Sequence, residues 1–427
     1  MSIRTMRRSS LFAGGIAVTV GVLAACGGGD SGDDGGDVTL EFAQWWGTEL
    51  PDGSFQELID QFEEENPGIK VEVNSQPYSN TKDQLVAGSA SGTMPDVMGL
   101  DGNWIYDFEK QGALADLTEL WDATDFDVSK VNPIEMESGT YMIPVENFAY
   151  PLFVNNELME EAGVEEIPET WSEFEEAAKK ISDLDEGISG WALPLSLESS
   201  VGIKNDFLSW YWASGGQAVD DSGNPNLTDP ELVEVLDFLT QLRDDGVIAP
   251  GIANLQEQDK VEEFQNGRVG MIISSLAHIN LMDEDSDLDF SVAGVPVKDG
   301  FSGESGVTFA SWGIGIAEAS DHKEEAWKLI DFLLQSDVNE ELSQLANAFP
   351  GHADAKPDFI TEDERIADAF DVWNEGTPVD EFIGLPVSEQ LMRTLDEQVQ
   401  RALAGDATSQ EALEAAQAEW ENLFADN

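Results

Sequence analysis

Aromatic rings stand beside planar hydrogen-bonding groups at several points of this chain. The candidates are Trp45 and Trp46, the group Asp101, Asn103 and Trp104, the dense run Trp210, Tyr211 and Trp212, and Trp312. Flat rings cover the apolar C–H faces of a neutral polyhydroxylated solute, and Asp, Glu, Asn or Gln side chains meet its hydroxyls. Each position has a plainer alternative. Trp45 and Trp46 cannot face the same way along a strand, so one of them belongs to a core. Asp101 could simply cap a helix that begins at Asn103. Helical or alternate spacing buries one or two of Trp210, Tyr211 and Trp212. Trp171 sits in a capping box and reads as core, and Tyr78 and Trp373 are weaker candidates.

Signals for covalent chemistry are sparse. His278, His322 and His352 are widely separated, and HExxH, CxxC, GxSxG and GxxxxGK patterns are all missing. The 86 Asp and Glu residues place acids close together everywhere, so no glycosidase pair stands out. Asp283-Glu284-Asp285 lacks the spacing of a calcium loop and reads as a solvated face. No metal or cofactor is implied, and the chain reads as a binding protein, not an enzyme.

The N-terminus has its own logic. Arg4, Arg7 and Arg8 precede an apolar run, Leu11–Ala25, that is too short to span a bilayer. The pattern is that of a secretory signal over 1–25. Cys26 follows Ala24-Ala25 and is the chain's only cysteine, so it forms no disulfide within one chain. Residues 27–37, GGGDSGDDGGD, contain no apolar side chain and read as a flexible tether. The chain carries a net charge of -66 from 20 Lys and Arg against 86 Asp and Glu. The three Arg of 1–25 meet no acid there, which leaves about -69 on the remainder. Nucleic acid is excluded as a partner, since phosphate contact needs a basic surface. Self-repulsion of that size is screened at high ionic strength, which points to a halophilic source.

Strands and helices alternate along the body and position the candidates. Residues 38–43, 69–73 and 96–100 alternate or run apolar as strands. Between them, Phe55, Leu58, Ile59 and Phe62 recur at helical spacing up to Pro67-Gly68, and 82–91 and 104–110 read as helices ending at Gly92 and Gly112. This order predicts a parallel sheet covered on both faces. Asp101, Asn103 and Trp104 then fall after the third strand, where open α/β sheets hold ligands. Further on, Thr170-Trp171-Ser172-Glu173 is a capping box, and Asp229-Pro230 opens another helix. Residues 269–273, 290–295 and 309–317 read as strands, and 326–334 and 409–424 as helices. About 390 residues after the signal suit two domains.

Several stretches, in order, resemble one family. They are Asn66-Pro67-Gly68-Ile69-Lys70-Val71, Ser91-Gly92-Thr93-Met94-Pro95-Asp96-Val97 and Gln111-Gly112-Ala113-Leu114-Ala115-Asp116-Leu117. Next come Tyr141-Met142-Ile143-Pro144 with Phe153-Val154-Asn155-Asn156, and Ala162-Gly163 with Ile167-Pro168-Glu169-Thr170-Trp171. Phe264 to Met271 and Leu403 to Leu413 complete the set. Together they are similar to extracellular solute-binding family 1, the maltose-binding-protein-like sugar-binding lipoproteins of ABC importers. One departure is local: Ala310-Ser311-Trp312-Gly313 stands where the family often has a Gly-Gly pair. Ala24-Ala25-Cys26 likewise resembles a lipobox, which implies cleavage before Cys26 and its lipidation.

The resemblance implies an α/β, two-lobed periplasmic-binding-protein fold of type II, each lobe an open sheet flanked by helices, with a ligand cleft between. One lobe would hold 38–147 with 307–347 and the other 148–306 with 348–427. The crossings would fall near Glu146–Ala149, Ser302–Gly306 and Ala346–Phe349. Glu146 and Asn147 would then reach the cleft at the first crossing, and Ser275 and His278 would reach it after a strand that often feeds it. The implied function is capture of a sugar or oligosaccharide outside the cytoplasm, on a membrane-anchored monomer, for delivery to the transmembrane subunits of an ABC permease. A polyol, glycerol phosphate or polyamine receptor is the alternative, and a secreted glycoside hydrolase a more distant one.

Overall fold

The computed structural model describes residues 38–136, 138–220, 222–285, 288–357 and 363–426. The signal, Cys26 and the 26–37 tether lie outside the described residues.

Strands β1 (Val38–Gln44), β2 (Ile69–Ser75) and β3 (Val97–Leu100) are parallel, with β1 central. The helix Ser54–Glu65 joins the first two and buries Phe55, Leu58, Ile59 and Phe62, the stripe expected from the spacing. The helix Tyr78–Ser91 starts before the expected Lys82, directly after Pro77, and ends on left-handed Gly92. The wholly parallel sheet expected from the strand order does not continue past β3. Strands β4 (Ile134–Met136) and β5 (Gly139–Ala149) extend the sheet through the later strand β10 (Gly306–Ile316), which lies antiparallel to both β3 and β5.

A second sheet is built from β6 (Leu152–Asn155), β7 (Ser189–Trp191), β8 (Val269–Ile273) and β9 (Phe290–Ala293), in the order β7-β8-β6-β9. Strand β6 is buried on both faces, and its period of two divides it between two cores. Phe153 joins the core that contains Leu40, Phe42, Leu100 and Ile314. Leu152 and Val154 join the core that contains Trp191, Trp210, Leu236 and Leu395.

The chain passes between the sheets three times. It leaves β5 at Ala149 and enters β6 at Leu152, across Tyr150-Pro151. It returns between β9 and β10. The third passage follows the helix Ser336–Ala346 through β11 (Phe349–Pro350), which pairs with β5. Beyond it, the helix Glu364–Glu375 packs on β9, β12 (Thr377–Val379) pairs with β10, and the helix Ser388–Leu403 packs on Pro230–Asp244 and Ser409–Asp426. Two lobes are therefore joined by neighbouring segments, the arrangement of a hinged pair. No helix among the described residues is long and apolar enough to cross a membrane.

Candidate functional site

A cavity of about 240 Å³ lies between the lobes and takes its lining from both, as well as from the crossing strands. It is sized for a small guest, just below the roughly 300–1,000 Å³ of drug-sized pockets. The first lobe contributes the C-terminal ends of its parallel strands. Strand β1 ends at Gln44, so Trp45 and, after the turn Trp46–Thr48, Glu49 reach the cavity; β3 ends at Leu100 and presents Asp101. This is where a doubly covered sheet leaves its strand ends open.

The opposite wall comes from three segments. The π-helical turn Ile203–Leu208 presents Lys204 and Asn205. A wide turn of this kind adds a residue to the helical path and redirects side chains. Gly202 precedes it, and a Cβ there would sit 1.7 Å from the Pro194 carbonyl oxygen. The helix Glu257–Gln265 offers Glu257 from its first turn, and the segment after β8 offers Ser275 and His278. Between the walls, Phe148 near the end of β5 and Tyr150 in the first crossing line the cavity, and β10 contributes Ser311 and Trp312. The β5–β10 register shifts between Trp312 and Gly313, a bulge at the point where Trp312 turns into the cavity.

Aromatic packing makes one side of the cavity rigid. Trp45, Tyr78 and Trp104 form a triangle with centroid separations of 5.3, 5.4 and 4.9 Å. Trp312 stacks on Trp46 at 5.5 Å with 9° between planes and meets Phe148 at 4.7 Å. Asp101 is held at both oxygens: Tyr78 O–H donates to Oδ2 at 3.0 Å and the Asn103 N–H to Oδ1 at 2.9 Å. It is therefore both the cap of the turn Gly102–Trp104 and a lining group. Lys204 Nζ donates to Asp380 Oδ2 at 2.7 Å, with both side chains buried. Lys260 Nζ donates to Asp206 Oδ1 and Oδ2 at 2.9 and 3.1 Å and to the Ile273 carbonyl at 2.6 Å.

Burial sets the protonation of the lining. It pushes the Glu49 carboxyl up to about 8, aided by the nearby Glu257 charge and opposed by a hydrogen bond with Trp312. Burial first, then the Asp101 charge, holds Tyr78 well above its ordinary value. Burial lowers His278, whose Nδ1 lies 2.8 Å from Ser274 Oγ, so its ring is neutral near pH 7. Burial works against the Lys204 ammonium, but Asp380 and then Asp101 outweigh it and raise its pKa.

Of the residues singled out from the sequence, Trp45, Asp101, Ser275, His278 and Trp312 line this cavity. Trp46, Asn103, Trp104, Glu146, Asn147, Trp210 and Trp212 do not. Trp46 and Trp104 back the lining rings. Asn147 Oδ1 accepts from Ser311 Oγ at 2.7 Å and so positions a lining hydroxyl. Asn103 is buried behind the wall. Trp210 packs among Phe174, Trp191 and Phe238 in the second core, and Trp212 Nε1 donates to Glu381 Oε2 at 2.7 Å. The aromatic density at 210–212 is thus core density.

Glu146 faces away from the cavity altogether. It is fully buried against the helix Ser336–Ala346, where Asn339 Nδ2 donates to Oε1 at 2.7 Å. Ser343 Oγ lies 2.7 Å from both Glu146 Oε2 and the Asn339 carbonyl. Ser343 Oγ donates to Glu146 Oε2, one of the two acceptors within its reach. Burial pushes this carboxyl well up, opposed by the hydrogen bond from Ser343.

Glu49, Tyr150, Lys204, Asn205, Glu257 and Ser311 also line the cavity and escape the sequence reading. Glu49 carried a usable signal, one turn beyond the end of a parallel strand. The others arrive by tertiary packing of segments that no local pattern connects.

The chain matches the family described as bacterial extracellular solute-binding protein over residues 46–340. A binding protein of Brucella abortus is 28% identical over 345 residues, covering 79% of this chain and 82% of the relative. The galactooligosaccharide-binding protein of Bacillus subtilis is 23% identical and covers 92% of each. The solved structure of maltose-bound MalE3 of T. maritima superposes with a TM-score of 0.76 at 26% identity, covering 90% of this chain and all of that one. Family match, two-lobed architecture and interlobe cavity agree, and the chain belongs to the bacterial extracellular solute-binding protein family.

Proposed function

We propose that this chain captures a sugar or oligosaccharide in the interlobe cavity and delivers it to the transmembrane subunits of an ABC importer. The observation that carries this reading is the lining itself. Trp45, Tyr78 and Trp312 supply flat apolar surface, and Asp101, Asn205, Ser275 and Ser311 supply hydroxyl partners from both lobes. A ligand bridging both walls favours the closed arrangement, which the permease would then select. The oligosaccharide and maltose named for two relatives support the ligand class. Glycerol phosphate fits less well, because the lining ammonium, Lys204, is already engaged by Asp380.

Lipidation at Cys26 would hold the body at the outer face of the membrane, with 26–37 as tether. The lobes would divide at 38–147 with 307–347 and at 148–306 with 348–427. An acidic surface bearing most of the -66 charge suits concentrated salt. The test is intrinsic tryptophan fluorescence and melting temperature over a panel of mono- and oligosaccharides. The cognate ligand should shift both, because Trp45 and Trp312 line the cavity. A panel that shifts neither refutes the sugar reading.

A further inference from the structure

Two buried polar atoms on the cavity lining have no hydrogen-bond partner within the protein, Asn205 Oδ1 and Glu257 Oε1. Both are acceptors. Asn205 is only 3% exposed, so its oxygen is held in place and is costly to leave unmet. Among the described residues, the fully buried indole N–H groups without a partner, such as those of Trp46, Trp104 and Trp210, lie off the cavity. The wall therefore asks its occupant for donors.

Charge narrows the answer. The lining carries the carboxyls of Glu49, Asp101 and Glu257, and none of them has an ion pair among the described residues. Lys204 is neutralised by Asp380, and Asp206 behind the wall by Lys260. Glu257 sits in the middle of this group, close enough to act electrostatically on Glu49, Tyr150, Lys204 and His278. A hydroxyl ligand would satisfy the orphan acceptors but leave acidic groups facing one another in a desolvated space. An ammonium brings three donors and the missing positive charge in one group.

Resting on the sugar reading above, we propose that the ligand is an amino sugar, its protonated amine held against Glu257 Oε1 and Asn205 Oδ1. The rings of Trp45 and Trp312 would cover its apolar faces, and Asp101 would take hydroxyls. Acidic lining and stacked rings then serve one ligand instead of two.

Calorimetry on the full chain with matched sugars tests this: glucosamine against glucose and N-acetylglucosamine, and the β-1,4-linked glucosamine disaccharide against cellobiose. Titrations run at about pH 6, below the usual range of such amines. The free amine should bind about 10–100-fold tighter than its neutral partner, the worth of a hydrogen bond to a charged group. Glu257→Gln should remove most of that preference, bringing the amine and its neutral partner to within about threefold of each other. Neutral sugars that bind as tightly as the amines overturn this inference and leave the sugar reading standing. Binding by no sugar of either kind overturns both. The wild-type comparison is decisive even where Glu257→Gln fails to fold.

Discussion

Replacing Lys260 by Met isolates the contact that braces one wall of the cavity. Lys260 lies on the helix Glu257–Gln265, and Asp206 on the π-helical turn Ile203–Leu208. Their side chains are 0% and 1% exposed, and all three ammonium protons are used, two on Asp206 and one on the Ile273 carbonyl. Burial, with a further push from the Glu257 charge, raises Asp206 to about 7 even with Lys260 beside it, so the carboxylate depends on this partner. Lys260→Met leaves a buried carboxylate and a buried carbonyl without donors. Breaking a buried pair from one side costs about 3–5 kcal/mol. For a body the size of Asp37–Asn427, an unfolding entropy of about 2.1 cal/mol/K per residue totals roughly 0.8 kcal/mol/K, so Tm should fall by roughly 4–6 °C. The double variant Asp206→Leu with Lys260→Met removes the stranded charge and should recover part of the loss, since an apolar replacement of a buried pair is often near neutral. Calorimetric melting of the three proteins at one pH and salt concentration is the assay. A Tm for Lys260→Met within about 1 °C of wild type, or a double variant no more stable than the single one, refutes the claim that this pair braces the wall.

Other outcomes follow from single observations. Gly202→Ala drives a methyl into the Pro194 carbonyl, which a new Cβ would approach to 1.7 Å. It should destabilise by more than about 3 kcal/mol, the range of severe overpacking, and a urea midpoint equal to wild type would contradict it. Glu146→Gln keeps the shape of the side chain, and its amide can donate to Ser343 Oγ while that hydroxyl donates to the Asn339 carbonyl. Stability should change by less than about 1 kcal/mol and ligand affinity not at all; an affinity loss would return Glu146 to the ligand. Glu49 binds its proton more tightly folded than unfolded, with a pKa of about 8. Its contribution to stability is complete below the ordinary carboxylate range and is lost as pH rises through about 8. Urea midpoints taken from pH 6 to 9 should fall less steeply for Glu49→Gln than for wild type, and parallel slopes would show that Glu49 is not held protonated.

Local order was legible in the sequence because it rests on local physics. The stripe Phe55, Leu58, Ile59 and Phe62, the capping box Thr170–Glu173 and the stop at Gly92 each depend on residues within a turn or two, and the structure has all three. The strand ends at Trp45 and Asp101 reach the cavity because parallel strands deliver their C-terminal ends to one edge. The structure decided what composition could not. The tryptophans at 210 and 212 look like a binding platform in one dimension, yet hydrophobic burial claims rings wherever a core has room. Glu146 looks like a polar contact, yet its strand face turns it toward the helix Ser336–Ala346, where Asn339 and Ser343 donate to it. Lys204, Asn205 and Glu257 lie far along the chain from Trp45 and meet it only when the lobes pack. The sequence alone determined the elements, the family and the charge. Tertiary structure alone chose the cavity wall, because which face of an element meets the cleft depends on the packing of segments distant in the chain.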